Sequence, residues 1–147
     1  MINEKIKNYI KKHAEEEEPN EACGFIVLEN NEFKCIKCKN ISNTPNLTFE
    51  ISSKEYLNIK NFYKKIYYIY HTHPLNSNCF DFSNQDKYCS ESLAIPIILY
   101  TLKNDEIKIY QESELNLDNY KITNQSIFGF SRIENYCNFY KGNPKYI

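Results

Sequence analysis

Apolar residues at Ile2, Ile6, Tyr9, Ile10 and Ala14, with His13 among them, recur at the spacing of one helix face. The chain therefore opens on an amphipathic helix, which the glutamates at 15–18 and Pro19 bring to a close, the glutamates reading as a solvated helix end. Residues 22–28 form a continuous apolar run and residues 33–39 a second strand-like stretch, with Glu29-Asn30-Asn31-Glu32 as the turn of a hairpin between them. After a loop at 40–46, Leu47, Phe49 and Ile51 alternate with polar residues and predict a third short strand. Ser52 with Glu55 three positions on is a capping-box signature for a helix reaching Tyr63, with Tyr56, Leu57, Ile59, Phe62 and Tyr63 as its apolar face. Residues 66–70 are β-branched and aromatic and run directly into His71-Thr72-His73-Pro74, where proline stops the pairing. A polar loop at 75–82 leads to Ser83-Asn84-Gln85-Asp86, a second capping signature, and a helix to Leu93. Strands at 96–102 and 106–111 follow across a turn at 103–105. Helices and strands interleaved in this way predict an α+β fold, a mixed β-sheet flanked by helices.

Length adds that one hydrophobic core is expected in 147 residues. Residues 1–111 carry the alternating pattern and form the domain, and residues 112–147 are a C-terminal extension rather than an independent domain. That extension holds Phe128, Phe130, Tyr136, Phe139, Tyr140 and Tyr146, so it is expected to pack on the domain or to bind a partner. A net charge of -1 makes no electrostatic case for nucleic acid or an anionic membrane. Glu4, Lys5 and Lys7 charge the N-terminus, no long apolar segment follows, and the expected location is the cytoplasm. The six cysteines, Cys23, Cys35, Cys38, Cys79, Cys89 and Cys137, then read as reduced and mostly buried thiols. Cys35 and Cys38 form a C-x-x-C, but within a strand-like stretch and without a second ligand pair it is a weak metal or redox signal.

The chemistry concentrates at His71, His73 and Asp86. Strand residues two apart point the same way, so His71 and His73 present both imidazoles to one metal ion. Asp86, in the first turn of the next helix, is placed to fold back onto that strand end. Two histidines and a carboxylate leave one position of a tetrahedral zinc open for water, the arrangement of a catalytic site. Residue types alone leave iron and manganese open.

Three separated words, Pro19-Asn20-Glu21-Ala22-Cys23-Gly24-Phe25, Ile69-Tyr70-His71-Thr72-His73-Pro74 and Ser83-Asn84-Gln85-Asp86, resemble the JAMM or MPN-plus metallopeptidase signature, over roughly residues 1–111. The segment from Asn40 to Pro45 leading to Phe49 belongs to the same likeness. The resemblance implies a cytidine-deaminase-like architecture and one Zn2+ per chain on His71, His73 and Asp86, with Glu21 as general base and then acid and Ser83 stabilising the oxyanion. It implies hydrolysis of an amide or isopeptide bond in a protein or peptide substrate. Glu21-Ala22-Cys23-Gly24, Cys89 and the run at 93–100 are most similar to the phage tail assembly branch, which implies phage tail proteins as partners, host cytoplasm as the location and virion association as the alternative. A ubiquitin-like-protein isopeptidase and a non-catalytic structural component of a tail-tip assembly are the other functions the family offers. The chain departs from the pattern in two ways. Twelve residues separate His73 from Asp86, two more than the family commonly has, and the cysteine peptidase domain that often follows is replaced by a short tail whose Cys137 has no histidine after it.

Overall fold

A computed structural model describes residues 2–111. The expectations for the extension at 112–147, including its aromatic cluster and Cys137, lie outside the described residues. Helix α1 (Glu4–Glu17) starts at Asn3, whose side chain accepts the Ile6 N–H. Strands β1 (Cys23–Glu29) and β2 (Glu32–Cys38) form the expected hairpin, closed by Asn30 and Asn31 at positive φ, which suits the tight two-residue turn. Helix α2 (Ser53–Tyr63) is capped by Ser52, β3 (Tyr68–His73) carries both histidines, and α3 (Asn84–Leu93) begins at Ser83. Strands β4 (Ile97–Thr101) and β5 (Glu106–Tyr110) complete a five-stranded sheet of order β2-β1-β3-β4-β5, in which only β3 and β4 run parallel. This is the mixed sheet flanked by helices that the pattern predicts.

Each face of the sheet has its own core. Against one face pack α2 and α3, with Phe25, Val27, Ile69, Ile97, Tyr56, Ile59, Cys89 and Leu93 buried together. Against the other packs α1, whose Ile6, Ile10 and Ala14 meet Ile26, Tyr70, Ile98 and Tyr100. Cys35 belongs to the α1 core and Cys38 to the opposite one, because residues three apart in a strand point to opposite faces. The two thiols of the C-x-x-C therefore cannot act as a pair, and burial pushes the Cys35 thiol up to about 12, keeping it protonated. Gly24 is required where β1 crosses Tyr70: a Cβ there would stand 2.3 Å from the Ile36 carbonyl oxygen and 2.6 Å from the tyrosine ring.

Three local expectations are corrected. Residues 47–51 are not a strand, although Phe49 and Ile51 are buried as the alternation implies. Their backbone is held instead by turn and side-chain hydrogen bonds within residues 40–50, so alternation here records burial without sheet pairing. On α2 only Tyr56 and Ile59 are buried, and Phe62 is 74% exposed, because the helix meets the sheet along a narrower stripe than its apolar content suggests. The glutamates at 15–18 are more than a solvated end: Glu16 pairs with Lys37 at 2.6 Å, and the Glu18 carboxylate accepts the Leu75 N–H at 3.0 Å.

His13 lies buried in the α1 core with Nδ1 2.8 Å from the Tyr70 hydroxyl. Burial, reinforced by Lys37 and opposed by Glu16, lowers its pKa to about 4. The unfolded chain, with an ordinary histidine near 6.5, binds the proton first as pH falls, so this contribution is intact above that value and is lost between about 6.5 and 4. Denaturant melts of the parent and of His13→Asn between pH 7 and 4 are expected to show a steeper acid loss in the parent. Parallel curves would contradict the assignment.

Candidate metal centre

The site forms where the parallel pair β3 and β4 ends. His71 and His73 stand two apart on β3, so their side chains leave the sheet on the α2 and α3 side. Strand β1 runs antiparallel to β3 with Cys23 opposite His71, and the Thr72 N–H donates to Ala22 O at 3.0 Å. Continued by two more residues, that register sets Glu21 across from His73 on the same face. Ligand atoms of Glu21, His71 and His73 lie within 4.8 Å of one another, all three residues buried. Asp86 enters from the first turn of α3, with Oδ2 3.3 Å from His71 Nε2. The structure thus brings together all five predicted residues: Glu21 groups tightly with His71 and His73, Asp86 meets His71, and Ser83 is hydrogen-bonded to Asp86.

Second partners fix the donor atoms. His71 Nδ1 donates to the Ile98 carbonyl at 2.9 Å, and His73 Nδ1 to the Cys79 carbonyl at 2.7 Å. A carbonyl oxygen only accepts, so both Nδ1 atoms hold a proton and both Nε2 atoms are turned to the site as the atoms that meet a metal ion or a second proton. Burial and the neighbouring His71 push His73 down to about 4, against the pull of the Cys79 carbonyl and Asp86, which keeps it in the neutral form a metal needs. Burial by itself disfavours the Asp86 carboxylate. His71, the Ser83 N–H donated at 2.9 Å and His73 outweigh it and hold the carboxyl well below the usual range. Ser83 Oγ in turn accepts the Asp86 N–H at 3.0 Å, so the capping box locks the carboxylate to the start of α3.

The Asp86 oxygen and the His71 Nε2 lone pair face each other at 3.3 Å. Two acceptors so close repel unless a cation, either a proton or a metal ion, is shared between them. Two imidazole nitrogens with two buried carboxylates suit a divalent metal of borderline hardness, so the residues fit zinc. Phe49 stacks on His71 with ring centroids 4.9 Å apart and 28° between planes. This contact was not singled out from sequence; the alternation at 47–51 located the residue and mistook its role. The carbonyls of Ile98 and Cys79 carry no sequence signal, because any residue supplies a carbonyl.

The cluster opens into a cavity of about 680 Å³ walled by residues 46–49 on one side and 74, 76–79 on the other, with Glu21, His73, Ser83 and Asp86 among its lining. Leu47, 69% exposed, is among its lining. No helix among the described residues is long and apolar enough to cross a membrane.

A family model described as prokaryotic homologs of the JAB domain matches residues 4–113. No curated protein matches the sequence. Among solved structures, the chain is similar to protein DSY2949 from Desulfitobacterium hafniense, determined in solution, at 19% identity and a TM-score of 0.51, covering 74% of this chain and 88% of that one. That likeness concerns the fold.

Proposed function

The chain belongs to the Prok-JAB family, the prokaryotic homologs of the JAB domain, and on that premise we propose that it is a zinc-dependent peptidase hydrolysing an amide or isopeptide bond. The observation that carries the reading is the pair of inward Nε2 atoms beside two buried carboxylates on the wall of an open cavity. A structural metal site would be closed over by protein; this one has room for a substrate.

His71, His73 and Asp86 would hold the ion. Zinc supplies a Lewis acid that polarises a carbonyl and lowers the pKa of a bound water to about 7. Glu21, across from His73, accepts a proton at its carboxylate and returns it to the leaving amine. Ser83 Oγ already accepts the Asp86 N–H, which leaves its own O–H to donate to an oxygen gaining negative charge. The residues at 46–49 and at 74 and 76–79 would flank an extended chain laid through the cavity. Resemblance to the phage tail assembly branch makes tail proteins the first substrates to offer, with ubiquitin-like conjugates beside them.

Metal analysis of the full chain purified without chelator is expected to find close to one zinc per chain. A content well below one that added zinc does not restore would replace the peptidase reading with that of a non-catalytic scaffold.

A further inference from the structure

We infer that Asn40 is a positioning residue that sets the place of Glu21, resting on the reading of Glu21 as the proton carrier. Glu21 lies between α1 and β1, in the loop at 18–22, where helix and sheet geometry do not fix it. Its backbone is nonetheless tied down in both directions. The Glu21 N–H donates to the Pro45 carbonyl at 2.7 Å, and the Glu21 carbonyl accepts from Asn40 Nδ2 at 3.0 Å. The next N–H, of Ala22, donates to Thr72 Oγ1 at 2.9 Å, between the two histidines of β3.

Asn40 is the hub of this arrangement. Besides Glu21, its Nδ2 reaches the carbonyls of Thr48 at 3.0 Å and Pro45 at 3.4 Å, while its Oδ1 accepts the N–H groups of Ser42 at 3.0 Å and Glu50 at 3.1 Å. One carboxamide thus joins the Glu21 backbone to the same loop that stacks Phe49 on His71. Only a side chain with donors and an acceptor on one planar head can do this; aspartate offers no donor and leucine, though similar in size, offers neither. Residues 40–50 have no sheet neighbour to fix them, so the network takes the place of strand pairing. Losing it frees the Glu21 carbonyl and the wall of the cavity together, while the ligands on β3 and α3 keep their own supports at Ile98, Cys79 and Ser83. Placement of a proton-transferring group to within an ångström is worth large factors in rate, whereas metal capture by the two histidines does not depend on it.

The test uses the full chain with Asn40→Ala and Asn40→Asp, the second keeping size and the two accepted bonds in case the first folds poorly. Ser42→Ala is the control, since Ser42 bonds Thr44 and Thr48 without touching Glu21. Amide hydrogen exchange, which needs neither metal nor substrate, is expected to quicken roughly tenfold or more at Glu21 in either Asn40 variant, with β3 and β4 unchanged, and to stay at the parent rate in Ser42→Ala. On a confirmed substrate, the Asn40 variants should keep parent zinc content while kcat falls by roughly 10–100-fold. Combined with Glu21→Gln they should cost no further rate, because both act through one group. Unchanged exchange at Glu21, or losses that multiply in the double variant, would overturn the inference. An absence of zinc or of any cleaved substrate would instead strike at the peptidase reading, and the exchange data would still decide whether Asn40 holds Glu21.

Discussion

Replacing His71 by Ala is expected to remove bound zinc and all hydrolysis together, the largest effect of any single substitution in the site. His71 is 1% exposed, its ring is fixed by the Ile98 carbonyl on one side and Phe49 on its face, and its Nε2 is the atom that Asp86 approaches. His73→Ala and Asp86→Ala should follow the same course, Asp86→Ala with an added helix-capping cost of about 1 kcal/mol because its carboxylate closes the capping box. Zinc bound only by the folded chain stabilises it, by about 4 kcal/mol when free zinc exceeds the dissociation constant a thousandfold. The parent melt should therefore fall on adding chelator, and the His71→Ala melt should not move. Parent zinc content in His71→Ala would remove the site from consideration.

Glu21→Gln should separate metal capture from chemistry. The amide keeps the shape of the carboxylate and can still hydrogen-bond a water, but it cannot take a proton, so zinc should stay while the hydrolysis rate falls by roughly 10² or more. The geometry makes this substitution unusually informative, because the ligand atoms of Glu21 group with those of His71 and His73 within 4.8 Å, whereas Asp86 meets the group at His71, 3.3 Å away. If Glu21→Gln loses zinc and Asp86→Asn retains it, the two carboxylates have exchanged roles: Glu21 is the ligand and Asp86 the group that orients His71. Paired metal and rate measurements on the two variants distinguish these assignments. A Glu21→Gln protein that cleaves a confirmed substrate at the parent rate would leave the site without its proton carrier.

Much of this centre is legible in the sequence because its parts are periodic or capped. His71 and His73 obey the two-residue period of a strand, and Asp86 follows Ser83 at the interval of a capping box, so local rules put all three where the structure has them. Glu21 was legible through its family word, and its physical cause emerges only with the antiparallel register of β1 on β3, a long-range fact. The supports were hidden for a related reason. Carbonyls of Ile98 and Cys79 act without regard to side-chain identity, and Asn40 acts across segments up to 19 positions apart. Helix α2 shows the opposite limit: its apolar residues outnumber the positions its packing partners cover, so composition overstated its buried face at Phe62.

Strand β3 serves two layers at once: Ile69, His71 and His73 face α2 and α3, and Tyr70 and Thr72 point the other way, Tyr70 into the core under α1. A slip of one residue would bury the imidazoles under α1 and send Tyr70 toward the metal, and pairing with β1 on one flank and β4 on the other blocks it. For anyone seeking to redirect what the cavity accepts, this divides the sequence into a frame and a variable surface. A combinatorial library confined to 46–48 and 75–78 would change the walls while leaving the strand, its register and the donor atoms untouched, and one that reached into β3 would consist largely of unfolded chains.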